Sequence, residues 1–161
     1  MEIVIRLIEP ADNPIMARII KSTLEELDCA MEGTVYTDDA TNHLYDQYLD
    51  KRTVYYVAEL NGQIVGGSGI GPIANLDKNY CELQKMYLLP SARGRGIGKM
   101  LMDKCLEFAK KAGYELVYLE TFDSMIDAQK LYKASGFNYL DHALGDTGHF
   151  SCNVKMAKEL L

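Results

Sequence analysis

The chain has 161 residues, of which 48% are hydrophobic and 25% charged, and its formal net charge is −6. This length and composition predict a single globular domain over residues 1–161, with enough residues for a sizeable core. The acidic balance argues against a general nucleic-acid-binding protein, which is usually basic. The N-terminal apolar run is short and interspersed with charges, so neither a signal peptide nor a membrane-spanning segment is expected.

Cysteine and histidine spacing indicates free thiols and no metal. The four cysteines are far apart and form no C-x-x-C pair; they are Cys29, Cys81, Cys105 and Cys152. Such spacing favours reduced thiols and a cytoplasmic location. His43 and His142 have no partners at the spacing of metal ligands, so no metal site is predicted.

The first half of the chain predicts a strand, a helix and a hairpin. Asp12 followed by Pro14 is typical of a helix start, with a side-chain cap and a proline in the first turn. The polar segment 28–51 could hold a second helix or form a mobile flap. Asn61-Gly62 separates two strand-like runs and predicts a two-residue type I′ turn. Four glycines in the second run predict a bend or a close backbone approach.

The second half predicts alternating helices and strands. A central helix is expected to end at Gly113 and a later helix at Gly136, because glycine readily adopts the left-handed conformation that closes a helix. A strand is expected between them, at residues 115–121. Residues 137–144 and 149–156 predict a closing hairpin. This order of elements fits one mixed α/β domain.

The most informative stretch is residues 81–98, CELQKMYLLPSARGRGIG. A strand-like run ends at Pro90, a glycine-rich loop follows, and a helix-forming segment begins directly after it. Glycines let a ligand approach the backbone, and the free amides at the start of a helix attract anions. The loop is therefore predicted to bind a ligand that carries phosphate.

Three phosphate-binding patterns compete for this loop. The P-loop pattern fails because Arg93 replaces its leading glycine and Met100 replaces its final serine or threonine. The dinucleotide fingerprint fails because the glycines fall at 94, 96 and 98 and no strand–helix–strand unit places an acid on a ribose. The third pattern, R-x-x-G-x-G with Arg93, Gly96 and Gly98, resembles the pyrophosphate motif of the GCN5-related N-acetyltransferases, the GNAT family.

The resemblance to this family covers nearly the whole chain, about residues 3–157. The family order is strand, two helices, a three-strand meander, the motif helix, a strand, a helix and two strands, and the predicted elements follow it. Leu131-Tyr132 followed by Gly136-Phe137 is similar to the end of the family's late helix, whereas Met125 stands where many members carry asparagine. The resemblance implies the GNAT fold, a mixed and mostly antiparallel α/β sheet, flanked by helices, that splays between the motif strand and the next.

The resemblance also implies acetyl-CoA as co-substrate. Its pantetheine arm would enter the splay and pair with the motif strand, and its pyrophosphate would lie on the glycine-rich loop. Ala128 and Tyr132 of the late helix would complete the site. The implied cofactor-binding residues are Met86, Tyr87, Leu88, Arg93, Gly94, Arg95, Gly96, Ile97, Gly98, Lys99, Ala128 and Tyr132.

The implied catalytic residues are Leu88, Tyr132 and Glu82. The Leu88 amide would polarise the acetyl carbonyl, and the Tyr132 hydroxyl would protonate the leaving thiolate. Glu82, early in the motif strand, resembles the carboxylate that many members use as general base, directly or through water. Glu120, on the neighbouring strand, is the second candidate for the base.

His149 and Cys152 invite comparison with a nucleophile–base pair. Residues three apart on a regular strand face opposite sides, so the predicted closing strand argues against such a pair. A buried free cysteine and a hydrogen-bonded histidine are expected instead, and His149 could still line the acceptor site on its own.

The predicted function is that of an N-acetyltransferase of the bacterial small-substrate type. It would move acetyl from acetyl-CoA to a primary amine of a small molecule or peptide in one ternary complex. The acceptor side is expected from residues 28–50, the Tyr55-Tyr56 strand and the closing hairpin. Acidic residues in the first of these segments fit either a cationic acceptor or a solvated surface.

The sequence also bears on the partners of the protein and on alternative roles. Neither nucleic acid nor a membrane is expected as a partner. The sequence leaves open whether the protein is a monomer or a homodimer. One alternative is a non-catalytic sensor of the same fold that binds acyl-CoA. Another is RNA binding through the Arg-Gly loop, which would depend on salt.

Overall fold

The computed structural model describes residues 1–34 and 36–160, so Val35 of the predicted acceptor segment and the predicted domain limit at Leu161 lie outside the described residues. Seven strands form one sheet in the order β1-β2-β3-β4-β5-β7-β6. The strands are β1 (Ile3–Leu7), β2 (Val54–Leu60), β3 (Gln63–Pro72), β4 (Tyr80–Leu88), β5 (Leu116–Thr121), β6 (Asn138–Leu140) and β7 (Val154–Glu159). The α-helices are α1 (Asn13–Glu26), α2 (Ile97–Lys111) and α3 (Ile126–Ala134).

The sheet is mixed and mostly antiparallel, which confirms the predicted fold class. Strands β4 and β5 run parallel, and the other neighbouring pairs run antiparallel. The parallel ladder is short: it joins Tyr80–Glu82 to Leu116–Tyr118 and then stops, although both strands continue. Beyond Glu82 the edge of β4 that faces β5 therefore has no strand partner among the described residues, and the sheet splays there.

Helices α1 and α2 cover opposite faces of the sheet. Successive residues of a strand point to opposite faces, and on β2 Val54 joins the core under α2 while Tyr55 joins the core under α1. The α2 side buries Met102 and Cys105 against β4 and β5. These two packed layers hold the splayed strands in place.

The predicted turn between β2 and β3 and the predicted helix ends are confirmed. Asn61 and Gly62 have φ values of 52° and 84°, as a type I′ turn requires, and they join β2 to β3. Gly113 and Gly136 have φ values of 87° and 97° just beyond the ends of α2 and α3. Each of these helices thus ends close to the predicted residue.

Two predicted elements differ from the structure. The polar segment after α1 contains two short 3-10 helices, Asp39–His43 and Tyr45–Gln47, instead of one second helix. The closing hairpin is present, but its strands β6 and β7 are shorter than predicted and are joined by the long connection 141–153. Among the described residues, no helix has the length and apolar character needed to cross a bilayer.

Candidate active site

The glycine-rich loop joins β4 to α2. After β4 the chain makes a 3-10 turn at Pro90–Ala92, and α2 begins at Ile97 with Gly96 as its N-cap. Gly94 and Gly96 have φ values of 75° and 81°, which residues with a β-carbon rarely adopt. Open space surrounds both positions, so backbone conformation rather than crowding explains why glycine is present.

The backbone amides of this loop are available to a ligand. The amide of Arg93 donates to Pro90, and the amide of Met100 donates to Gly96. Between them, the six amides of residues 94–99 make no hydrogen bond within the described part of the chain. Free amides at the positive end of a helix dipole form an anion-binding site, which fits the predicted pyrophosphate loop.

The basic side chains of the loop interact with the protein itself. The guanidinium of Arg93 makes two hydrogen bonds to Glu26, at 2.9 and 3.0 Å, and its Nε donates to the Leu88 carbonyl at 3.1 Å. Arg95 donates to the Ser91 carbonyl, and Lys99 pairs with a carboxylate one turn further along α2. These side chains add positive charge near the loop. Because each already contacts a group of the protein, they do not form a cluster of unpaired cations.

A bulge shapes β4 inside the splay. Gly67 pairs with Tyr87 and Gly69 with Gln84, so Ser68 alone lies opposite both Lys85 and Met86. Lys85 has a φ of 51°, and its carbonyl accepts a hydrogen bond from Tyr55. Further along, the amide of Leu89 donates to the carbonyl of Val65 on β3. Because strand amides alternate in direction, the amide of Leu88 is directed to the open edge.

A cavity occupies the splay between β4 and β5 and extends under the connection 141–153. It brings together Glu82, Glu120 and Tyr132, the three side chains predicted to take part in catalysis. Its lining residues are Thr34, Glu82, Leu83, Gln84, Lys85, Met86, Tyr87, Leu119, Glu120, Thr121, Phe122, Met125, Tyr132, His149 and Cys152.

Glu82 lies where the β4–β5 ladder ends. It is 5% exposed, and burial raises the pKa of its carboxyl to about 7, despite a 2.8 Å hydrogen bond from Gln84. The Gln84 side chain in turn accepts a hydrogen bond from the Tyr48 hydroxyl at 2.7 Å. A β-carbon on Gly71 of β3 would clash with Gln84, so the glycine leaves space for this chain of contacts.

Glu120 differs from Glu82 in having both carboxylate oxygens occupied. One accepts from the Tyr118 hydroxyl at 2.7 Å, and the other accepts from the Thr147 hydroxyl of the connection 141–153. These contacts favour Glu82 over Glu120 as general base, because a base needs a lone pair that is free to take a proton.

His149 approaches both carboxylates from the connection 141–153. One ligand-type atom from each of Glu82, Glu120 and His149 lies within 4.8 Å of the other two. The Nε2 of His149 lies 3.7 Å from a carboxylate oxygen of Asp38, and burial lowers the pKa of the imidazole. The absence of a metal site stays a prediction. The grouping of Glu82, Glu120 and His149 shows that spacing along the sequence did not identify every candidate metal ligand.

The expected strand geometry around His149 and Cys152 is wrong. Both residues lie in the connection rather than on β7, and the Cys152 amide donates to the His149 carbonyl within a turn. Their side chains therefore line the same cavity instead of facing opposite sides. Burial raises the pKa of the Cys152 thiol to about 12, so the thiol is protonated at neutral pH and is a poor nucleophile.

Tyr132 extends from α3 into the splay. Its ring is 5% exposed and packs against Phe137, with 6.0 Å between ring centroids. Burial raises the pKa of the phenol, which keeps its proton available at neutral pH. Ala128, one turn earlier on α3, packs against the same core cluster.

The site contains residues to which the sequence prediction gave no individual role. Tyr48, Gln84 and Thr147 position the two glutamates, and Lys85 and Asp38 bring further charges to the cavity. Tyr48 and Asp38 lie in the predicted acceptor segment 28–50, and Lys85 carried a signal as a lysine within an apolar strand. The others come from segments whose contacts depend on the tertiary fold.

Comparisons with known proteins agree with this geometry. The sequence model of the acetyltransferase (GNAT) family matches residues 20–137. The uncharacterized N-acetyltransferase YjgM of Escherichia coli is 40% identical over 158 residues, which cover 98% of this chain and 95% of YjgM.

Two solved structures share the fold. An acetyltransferase of the GNAT family from Staphylococcus aureus has a TM-score of 0.83 at 24% identity, covering 99% of this chain and 100% of that one. YncA of Salmonella typhimurium, a putative acetyltransferase solved with acetyl-CoA, has a TM-score of 0.79 at 20% identity, covering 100% of this chain and 95% of its own. The family match and the relationship to YjgM show that the chain belongs to the GNAT acetyltransferase family.

Proposed function

We propose that this acyltransferase moves acetyl from acetyl-CoA to a primary amine by direct attack in a ternary complex. One observation carries the proposal: β4 connects a loop of free amides, residues 94–99, to a buried carboxylate with a pKa of about 7, Glu82. A general base works best with a pKa near the working pH. An anion site joined to such a base by an open strand edge suits a thioester donor that carries pyrophosphate.

The described residues fit the donor. The amides from Gly94 to Lys99 would hold the pyrophosphate, and the open edge of β4 at Met86, Tyr87 and Leu88 would pair with the pantetheine amides. Ala128 and Tyr132 of α3 would flank the same arm. When bound, acetyl-CoA supplies an acetyl group activated as a thioester.

The chemistry needs three contributions from the chain. The amine nitrogen forms a bond to the acetyl carbon, the carbon–sulfur bond breaks, and the amine loses a proton. Glu82 takes that proton directly or through water, and Tyr132 gives its phenolic proton to the sulfur. The outward-directed amide of Leu88 donates to the acetyl oxygen as negative charge develops there.

The acceptor would enter from the side opposite the donor loop. Thr34 of the segment after α1 and His149 of the connection 141–153 line the cavity with Glu82, and Asp38 lies 3.7 Å from His149. The acceptor side is thus assigned to residues 28–50, the Tyr55-Tyr56 strand and the connection before β7. The four free cysteines fit a single domain that works in the reducing cytoplasm, as a monomer or a homodimer.

The test is release of CoA thiol from acetyl-CoA by the purified protein over a panel of primary amines. We expect amine-dependent thiol release that slows when Tyr132→Phe removes the phenolic proton. Acetyl-CoA binding measured by calorimetry, together with no turnover on any amine, would contradict the proposal and favour a non-catalytic sensor. Salt-dependent RNA affinity would instead support the RNA-binding alternative.

A further inference from the structure

Lys85 is a cation in the candidate active site that the chemistry above does not use. It sits on the bulge of β4 and lines the cavity together with Glu82 and His149. Met86, the next residue, packs with the core under α2, and Tyr87 packs with the core under α1. Its place beside Glu82 and His149 puts Lys85 on the acceptor side of the splay.

The ammonium of Lys85 has no close anionic partner in the described part of the chain. Among residues 1–34 and 36–160, no carboxylate lies within 4.0 Å of it and it donates no hydrogen bond. Asp38 and Glu82 act on it only at longer range, and burial lowers the pKa of its ammonium. A partly desolvated ammonium of this kind gains most from a ligand that brings its own negative charge.

The charges around Lys85 are arranged in two parts. Glu82, Glu120 and His149 meet on one side and offer acceptors to an amine. Lys85 lies next to them and acts electrostatically on both Glu82 and His149. A molecule with an amine at one end and a carboxylate at the other would match both parts.

We propose that Lys85 binds a carboxylate of the acceptor, so that the enzyme acetylates the amine of an amino acid or a related amino carboxylate. The inference rests on the proposed function, since it names the substrate class of the same site. It also narrows the sequence-based expectation, in which the acidic segment fitted either a cationic acceptor or a solvated surface.

The test compares matched acceptors that differ in one carboxylate. Each amino acid of a panel is paired with its decarboxylated amine, for example serine with ethanolamine and tyrosine with tyramine. For the preferred pair we expect kcat/KM to be at least about tenfold higher for the acceptor with the extra carboxylate, the effect of one charged hydrogen bond. In Lys85→Met this preference should disappear, mainly through a higher KM for the acceptor, while KM for acetyl-CoA stays the same.

Two further variants separate recognition from folding. Lys85→Arg keeps the charge and should retain part of the preference. Lys130→Met removes an exposed lysine on α3 and should leave both acceptors unaffected. Methionine is unbranched like lysine, so Lys85→Met places no bulkier group at the positive φ of the bulge.

The outcomes distinguish this inference from the proposed function. Two outcomes would overturn the role of Lys85 and leave the acetyltransferase proposal intact. One is a kcat/KM for the decarboxylated amines that equals or exceeds that for the amino acids. The other is an equal loss of kcat/KM on both acceptors in Lys85→Met. No turnover on any amine would contradict the proposed function. Calorimetry with CoA and the N-acetylated amino acid gives an independent readout. Lys85→Met should bind the N-acetylated amino acid at least about tenfold more weakly than the wild type.

Discussion

The proposed donor loop, residues 93–99, and the proposed acceptor pocket, formed by Glu82, Lys85, Glu120 and His149, are built in different ways. The donor loop presents backbone amides, and its shape depends on two glycines and the start of one helix. The acceptor pocket presents side chains from two strands and a long connection. A backbone site should tolerate changes of side chain except at its glycines, whereas a side-chain site should be sensitive at each charged group.

The largest effect is expected in the acceptor pocket, from Glu82→Gln. The amide cannot take the amine proton, so kcat should fall at least about 100-fold, while KM for acetyl-CoA changes little. In the wild type, kcat/KM should rise with pH as Glu82 loses its proton near pH 7, and this limb should be absent in the variant. Steady-state kinetics from pH 5.5 to 8.5 measure both effects.

The matched control for this change is Glu107→Gln, at an exposed glutamate on α2 that pairs with Lys111. It should behave as the wild type. If Glu82→Gln kept its activity within threefold, the base would lie elsewhere, and Glu120→Gln would be the next variant to measure.

A smaller loss is expected from Tyr132→Phe, which removes the phenolic proton but keeps the packing against Phe137. We expect kcat to fall about 10- to 100-fold, because water can protonate the thiolate less efficiently. A thioester donor with a more acidic thiol should restore part of the rate. Unchanged rates with the normal donor would show that Tyr132 serves only the core.

Within the donor loop, Gly96→Ala should have the main effect. A β-carbon disfavours the φ of 81°, so the loop would relax and move its free amides, and KM for acetyl-CoA should rise about tenfold. Gly113→Ala is the matched control, since Gly113 has a φ of 87°, open space around it and a position at the other end of α2. Both variants should lose about 1 kcal/mol of stability, but only Gly96→Ala should bind donor more weakly.

The smallest effect is expected from Arg93→Lys. Lysine cannot form the two-pronged contact with Glu26, but this pair is partly exposed, so stability should change by less than about 1 kcal/mol. KM for acetyl-CoA should stay within about threefold, because the amides remain in place. Glu26→Gln removes the same contact from the other side. A tenfold rise in KM in Arg93→Lys but not in Glu26→Gln would show that Arg93 itself binds phosphate.

The same contrast explains what the sequence could predict. The donor loop is contiguous, so glycine spacing and the strand–loop–helix order were enough to locate it, and the family resemblance supplied the splay. The acceptor pocket depends on tertiary contacts. The sequence pattern predicts a regular strand for His149 and Cys152, but the chain between β6 and β7 leaves the sheet and folds over the cavity. Gln84 and Tyr48 showed no local pattern, because their roles arise from contact with Glu82 and with each other.

The buried carboxylate of Glu82 also affects folding stability. Its pKa is raised from about 4.5 to about 7, so the folded protein binds its proton more tightly than the unfolded chain does. The free energy of unfolding should therefore decrease as pH rises from about 4.5 to 7, by up to about 3 kcal/mol from this group. Glu82→Gln should then have a higher Tm than the wild type at pH 8 but not at pH 4.5, as measured by thermal unfolding. The carboxylate proposed as general base would thus also lower the stability of the fold at neutral pH.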